Sequence, residues 1–310
     1  MTYERGYCWN CGRRTSHKDK EEGFICITCE DMGLEKKVTL DEKEILDILR
    51  KSNLSKMEIK NILSVKNTNS TSGKPYTFKG QKVLFGVIGD GHCGHNCYDA
   101  KLMKFAAQTF NKKHVDFVIH SGDLCEGHYE GKRQGSIFEL THVGGDAQTD
   151  YVIKELKQIK SPLYFITGNH ETNTFFKLAG FDIGKKIQKE LPNSHYLGQG
   201  HGTIKLPFNQ SIEVLHPDGG TAYAISYKPQ KITEAIEGGT KPSVLLVGHF
   251  HKAEYLFYRN VHIFQTGCLQ SQTPFMRGQN TSAHKGFWVI EAEVTKEGIS
   301  RIKPEFYPAY

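Results

Sequence analysis

The sequence predicts an α/β protein on three observations. Short apolar runs of β type recur along the chain. Each run ends in or beside a glycine or turns at once into Asp, Asn or His, and amphipathic stretches return the chain between runs. Buried parallel strands deliver polar side chains at their carboxyl ends in this way. The runs are 83–89 before Asp90-Gly91-His92, 115–122 before Asp123, and 163–168 before Asn169-His170-Glu171. Two more follow, 212–215 before His216 and 244–248 before His249-Phe250-His251. Residues 99–110 read as a helix with Leu102, Phe105, Ala106 and Thr109 on one face. A second helix is expected over 150–159, closed by Ser161-Pro162. Residues 261–266 and 286–294 read as further strands.

The polar residues at the strand ends share one chemistry. Asp90, His92, Asp123, Asn169, His216, His249 and His251 offer oxygen and nitrogen donors without a thiolate. That preference suits manganese, iron or zinc. Glycines beside them remove a Cβ where backbones turn tightly. Seven donors with one shared carboxylate fit a binuclear centre, with ions roughly 3.5–4 Å apart and a hydroxide available at neutral pH. Two divalent cations are expected there, manganese first, with iron, zinc, nickel or magnesium as alternatives.

In order, Gly-Asp-x-His, Gly-Asp, Gly-Asn-His-Glu, a lone His and Gly-His-x-His resemble the calcineurin-like metallophosphoesterase superfamily, over roughly 82–310. The resemblance implies two mixed β-sheets packed face to face and flanked by helices, with 261–266 and 286–294 in the second sheet. It also implies that Asp90, His92 and His251 hold one metal, that Asn169, His216 and His249 hold the other, and that Asp123 bridges them. His170 matches the family histidine that helps the leaving oxygen depart while a metal-bridging hydroxide attacks phosphorus in line. Glu126 is expected to orient His170 or to cap a turn. The overall layout is similar to uncharacterised phosphoesterases of phages and archaea. In motifs only, it resembles the nuclease subunit of DNA break-repair complexes.

Composition bounds the rest. A chain of 310 residues, 38% hydrophobic, can bury a substantial core. The opening Met1-Thr2-Tyr3-Glu4-Arg5 lacks an apolar signal core and no run is long enough to span a bilayer, so a cytoplasmic protein without a membrane partner is expected. A net charge of +6 permits nucleic acid as substrate or docking partner without demanding it. No protein partner can be read from the chain.

Four domains are expected: a zinc module at 1–38, a helical hairpin or partial helix-turn-helix at 39–65, a linker at 66–80, and the phosphoesterase at 81–310. Cys8-Trp9-Asn10-Cys11 and Cys26-Ile27-Thr28-Cys29 stand fourteen residues apart, which fits one structural zinc held by Cys8, Cys11, Cys26 and Cys29. Residues 1–80 carry 15 Lys or Arg against 12 Asp or Glu, too even for a strong phosphate footprint.

Substrate class rests on two residues that are missing. Protein serine/threonine phosphatases of this superfamily place an arginine four positions after the bridging aspartate and another before Gly-Asn-His-Glu. Here those positions are Gly127 and Thr167. Losing that clamp disfavours a dianionic monoester and favours a diester. A nuclease is therefore expected. The alternatives are a phosphodiesterase on cyclic or other small nucleotides, a phosphoprotein phosphatase, and an inactive nucleic-acid-binding scaffold. Residues 131–150 read as a lid or a solvated loop, and 270–285 as a polar loop whose Arg277 or Lys285 replaces the missing arginines. Tyr227, Lys228 and Gln230 are candidates for substrate contact. His95, Cys93 and Cys97 are expected to line the loop after His92 without binding metal, and His262 and His284 are assigned no metal.

Overall fold

In a computed structural model, residues 81–128 and 137–310 are described, together with two short N-terminal strands. The chain divides into two compact units, 1–66 and 67–310. The first contributes an antiparallel pair, β1 (Gly6–Tyr7) and β2 (Arg14–Thr15), with Gly6 opposite Thr15 and Tyr7 opposite Arg14. The four cysteines, the helices expected within 39–65 and the linker at 66–80 lie outside the described residues.

The second unit is built on two sheets. One has six strands in the order β13 (Gly298–Pro308), β12 (Gly286–Thr295), β3 (Lys82–Ile88), β4 (Phe117–His120), β5 (Leu163–Thr167) and β6 (Ser194–Gln199). The other has five, in the order β10 (Ala253–Tyr258), β11 (Val261–Thr266), β9 (Val244–Val247), β8 (Ser211–Leu215) and β7 (His201–Lys205). Strands β3 to β6 run parallel to one another, as do β8, β9 and β11, so their carboxyl ends emerge together in each sheet.

Layering explains the residue patterns. Strands β4, β5 and β9 are buried at every position because both faces of their sheets are covered. The edge strand β7 alternates exposed and buried residues, as a strand with one covered face should. Between the sheets pack Phe85, Phe117, Ile166, Val214, Leu246 and Phe264. On the outer face of the six-stranded sheet lie α1 (Ala100–Lys113), α2 (Gly145–Leu156) and α4 (Ile183–Glu190), joined through Phe110, Ile153 and Ile187. Helix α5 (Tyr227–Ala235) covers the other sheet through Ile232, beside Leu245 and Ile263. The result is the four-layer α/β/β/α arrangement expected of the fold class.

Local signals set several boundaries. Asp99 caps α1 by accepting the Leu102 N–H at 3.0 Å, and His114 ends it in the left-handed region with φ 51°. Its buried face runs through Leu102, Met103, Ala106, Ala107 and Phe110, leaving Phe105 46% exposed, so the face is rotated from the one expected. Helix α2 begins at Gly145, earlier than the expected 150. Strand β12 pairs antiparallel with β3 and so belongs to the first sheet, not to the second. The chain from 270 to 285 is not all loop, since it contains α6 (Pro274–Gly278), capped by Thr273.

Phe110 is fully buried, and its ring packs where a Cβ on Gly86 would come within 2.5 Å of it. Phe110→Ala is therefore expected to lower the unfolding free energy by about 3–5 kcal/mol, read from the urea midpoint.

Candidate metal centre

The site forms where strands of both sheets stop. Asp90 follows β3, Asp123 follows β4, Asn169 opens the short helix α3 (Asn169–Glu171) after β5, His216 follows β8, and His249 and His251 follow β9. Five of these expected ligands hold left-handed backbone: Asp90 (φ 47°), His92 (φ 51°), Asp123 (φ 49°), His249 (φ 75°) and His251 (φ 52°). Non-glycine residues adopt that conformation at a cost, and it persists only where the surroundings over-determine it. Here the surroundings are main-chain bonds between adjacent strand ends. Asp90 N–H donates to Gly122 O at 3.1 Å, His92 N–H to Asp123 O at 3.0 Å, and Gly248 N–H to Leu215 O at 3.0 Å. Gly248 must lack a side chain, because its Cβ would stand 2.7 Å from Ser121 O and 2.9 Å from His216 Nδ1.

The donors converge in two groups. Asp90, His92 and His251 each bring an atom within 4.8 Å of the others, and so do Asp123, His216 and His249. His92 Nε2 lies 3.0 Å from His251 Nε2, which is 3.6 Å from Asp90 Oδ1. In the second group Asn169 Oδ1 lies 3.1 Å from His216 Nε2 and 2.8 Å from His249 Nδ1. Asp123 sits between the groups, its Oδ2 3.0 Å from His216 Nε2 and 3.8 Å from His92 Nε2. The carboxylate of Asp90 also accepts His249 N–H at 2.8 and 3.1 Å, which ties the two groups together.

Neighbouring acceptors fix which ring nitrogens face inward. Glu126 Oε2 lies 2.9 Å from His92 Nδ1 and draws that proton, leaving a lone pair on Nε2. His216 Nδ1 donates to Ser121 O at 2.8 Å, and His249 Nε2 to Gly219 O at 2.6 Å. Ligand bonds of ~2.1 Å meeting near a right angle put two nitrogens ~3 Å apart, so the 3.0 Å between His92 Nε2 and His251 Nε2 fits a shared cation. Electrostatics point the same way for the Asp90, His92 and His251 group. Burial pushes the Asp90 carboxyl up to about 8, and burial holds His92 and His251 well below the usual imidazole range. A neutral imidazole is a ligand, and a divalent cation would return Asp90 to its carboxylate form.

His170 stands beside both groups. Its Nδ1 donates to the Glu126 carbonyl oxygen at 2.6 Å, and its Nε2 lies 4.0 Å from Asp123 Oδ2. Burial works against its charged form, but the carboxylates of Asp123 and Glu126 outweigh burial and raise its pKa. Glu126 thus positions His170 through its backbone oxygen, with its Oε1 3.8 Å from the same Nδ1 and its Oε2 on His92.

A cleft of about 690 Å³ opens over the site, lined by His92, Asp123, Asn169, His170, His249 and His251 among others. No Lys or Arg lines it among the described residues. Arg277 is not among its lining residues, and Lys285 is committed to Asp99 at 3.1 Å, so neither replaces the missing arginines. Tyr227, Lys228 and Gln230 fall in α5 and do not line the cleft. His95 does line it, with Nδ1 accepting Cys97 N–H at 2.9 Å. His262 bonds Tyr255 Oη at 2.9 Å, and His284 Nδ1 accepts Ala253 N–H at 3.2 Å.

A sequence profile described as calcineurin-like phosphoesterase matches residues 83–253, more than half of the chain. The chain belongs to this family. As a calcineurin-like phosphoesterase it is a metal-dependent phosphoester hydrolase, and the family is dimetal-dependent. Solved structures similar to it include an archaeal phosphodiesterase, at 14% identity over 73% of this chain and 100% of that one, with a TM-score of 0.42. The phosphoesterase YfcE from E. coli is 12% identical over 71% and 98%, with a TM-score of 0.41. Vps29 from Entamoeba histolytica, complexed with zinc, is 15% identical over 73% and 99%, with a TM-score of 0.38. A comparison with curated protein sequences gave no match.

Two supports of the phosphoesterase site went unassigned in the sequence. Glu171 is buried, with Oε1 accepting Cys125 N–H at 2.8 Å and Oε2 accepting Gly168 N–H at 2.6 Å. Its place three residues after Gly168 is a helix-start spacing that could have revealed it. Gln148 exchanges bonds with Gly127, at 2.8 Å to its N–H and 2.9 Å to its carbonyl, and carries no such signal.

Glu126→Gln is expected to weaken metal retention ~10- to 100-fold, measured by equilibrium dialysis with elemental analysis. Chelation should lower the melting temperature of the parent protein, since ions at ~100 times their Kd add about 2.7 kcal/mol each.

Proposed function

We propose that this protein hydrolyses phosphodiester bonds and that its substrate is nucleic acid. Asp90, His92 and His251 would hold one cation, Asn169, His216 and His249 the other, with Asp123 between them. The two cations, manganese first, would supply Lewis-acid charge to the phosphoryl oxygens and a nucleophile at neutral pH.

His170 supplies the proton. With Nδ1 donating to the Glu126 carbonyl oxygen, Nε2 is the nitrogen turned to the cleft side, and the carboxylates of Asp123 and Glu126 favour a proton there. That proton goes to the departing oxygen, and the imidazole takes one back from solvent to close the cycle. Glu171 keeps the His170 turn in register by binding the N–H groups of Gly168 and Cys125.

The cleft carries the choice of a diester. A dianionic monoester needs arginine or lysine side chains beyond the metals, and none lines the cleft among the described residues. The same observation weighs against a phosphoprotein phosphatase. A net charge of +6 supports an anionic polymer as substrate. A small nucleotide diester is the second reading, favoured by a cleft of about 690 Å³, the size of a small-ligand site. An inactive scaffold would have no use for seven converging donors.

For the N-terminal unit, we propose one structural zinc on Cys8, Cys11, Cys26 and Cys29. The β1–β2 pair supports it, since strands at Gly6–Tyr7 and Arg14–Thr15 bracket the first cysteine pair in sequence.

His170→Asn should lower kcat by ~10²- to 10⁴-fold with metal content unchanged. A panel of single- and double-stranded DNA, RNA, cyclic nucleotides and phosphopeptides with manganese tests the substrate. Turnover of phosphopeptides alone would overturn the diester reading. Elemental analysis of the parent should find one zinc that Cys26→Ser removes without loss of the other two ions.

A further inference from the structure

The cleft has a wall that the hydrolytic machinery does not use. It is built by α6 and the residues after it, with Phe275, Met276, Gln279 and Ser282 among the cleft's lining. Phe275 is 49% exposed and has no ring partner among the described residues. A single exposed phenyl on an open surface means little, but this one lines the cleft that opens over the expected ligands. The Gln279 side chain makes no hydrogen bond among the described residues.

The wall is held stiffly. Thr273 Oγ1 accepts Met276 N–H at 3.1 Å, and Thr281 N–H donates to Met276 O at 2.9 Å. Gln272 Nε2 donates to Thr281 O at 2.8 Å. The Lys252 ammonium is spent on Ser282, at 2.7 Å to its carbonyl and 2.7 Å to its hydroxyl. His284 N–H donates to His251 O at 2.9 Å, so the wall is anchored to the strand end that carries two of the expected ligands. A ring carried on a pinned backbone at the wall of this cleft is placed to receive a flat partner.

Charge narrows the partner. No Lys or Arg lines the cleft among the described residues, so this wall offers a second phosphate no cationic side chain. A flat neutral heterocycle gains stacking area from Phe275 and an amide for its edge from Gln279. We infer that Phe275 and Gln279 form a nucleobase subsite, with the base of the phosphodiester substrate stacked on Phe275. This rests on the phosphodiesterase reading above. Stacking tolerates any base, because each has a π face, so the subsite selects nucleotides over other diesters without reading sequence.

Three esters with one leaving group test it: thymidine 5′-(p-nitrophenyl phosphate), methyl p-nitrophenyl phosphate and p-nitrophenyl phosphorylcholine. The metal-loaded full chain should show the highest kcat/KM on the thymidine ester. Phe275→Ala should lower the thymidine-to-methyl ratio about tenfold, Phe275→Leu should lower it similarly, and Phe275→Trp should keep it. Titration calorimetry gives a readout independent of turnover. Thymidine 5′-monophosphate should bind the parent about tenfold more tightly than ribose 5-phosphate does, and Phe275→Ala should erase the difference.

Equal rates on the thymidine and methyl esters would overturn the subsite while leaving the phosphodiesterase intact. So would a preference for the choline ester, whose cation Glu139 and Asp218 on the cleft lining could attract, or a ratio that Phe275→Ala does not move. No turnover of any of the three would remove the phosphodiesterase reading, and the subsite with it.

Discussion

The carboxylate of Asp123 is the point on which the fold and its chemistry both depend. It hangs from β4 in the centre of one sheet, accepts the His170 N–H at 2.9 Å, and faces His216 from the other sheet at 3.0 Å. Burial alone would favour its neutral form, yet the imidazoles of His216 and His170 reverse that and hold its pKa well below the usual carboxylate range. The same carboxylate raises His216 to about 10 against the pull of burial. A permanent negative charge is thereby kept at the meeting of two sheets, where only cations or protonated imidazoles can balance it. A Cβ on Gly168 would collide with that carboxylate, so the turn that brings in Asn169 can approach only because residue 168 is glycine.

Much of this was legible because strand ends announce themselves. An apolar run stopping at Gly-Asp or Gly-Asn-His gives both the element and the polar residue it carries. All five such runs became strands: β3, β4, β5, β8 and β9. Strands β6, β7, β10 and β13 were not foreseen. They lie at or next to sheet edges, where one-sided burial lets polar residues interrupt the pattern, as in His201 to Lys205. The partner of β12 was also misread. Nothing within 286–294 says which sheet will accept a strand, and β12 lies beside β3, some two hundred residues earlier in the chain.

The site divides in the same way. Side-chain donors can be listed from a sequence, and the structure brings all seven together. Backbone acceptors cannot be listed, because any residue has a carbonyl. Ser121 O orients His216, Gly219 O orients His249 and Glu126 O orients His170, and no residue type marks these positions. Glu126 shows the difference within one residue, since its carboxylate was noticed while its carbonyl, the group that orients His170, was not.

Left-handed backbone at five donors has a consequence for which element the cage accepts. The strain is carried by main-chain bonds between strand ends of the two sheets, so the fold itself sets the spacing of the donors. A cage spaced by main-chain bonds does not select its occupant by closing around it. Nitrogen and oxygen donors of this kind bind several first-row cations, so the element found inside should follow cellular supply. A lineage could then exchange one metal for another without altering a single donor.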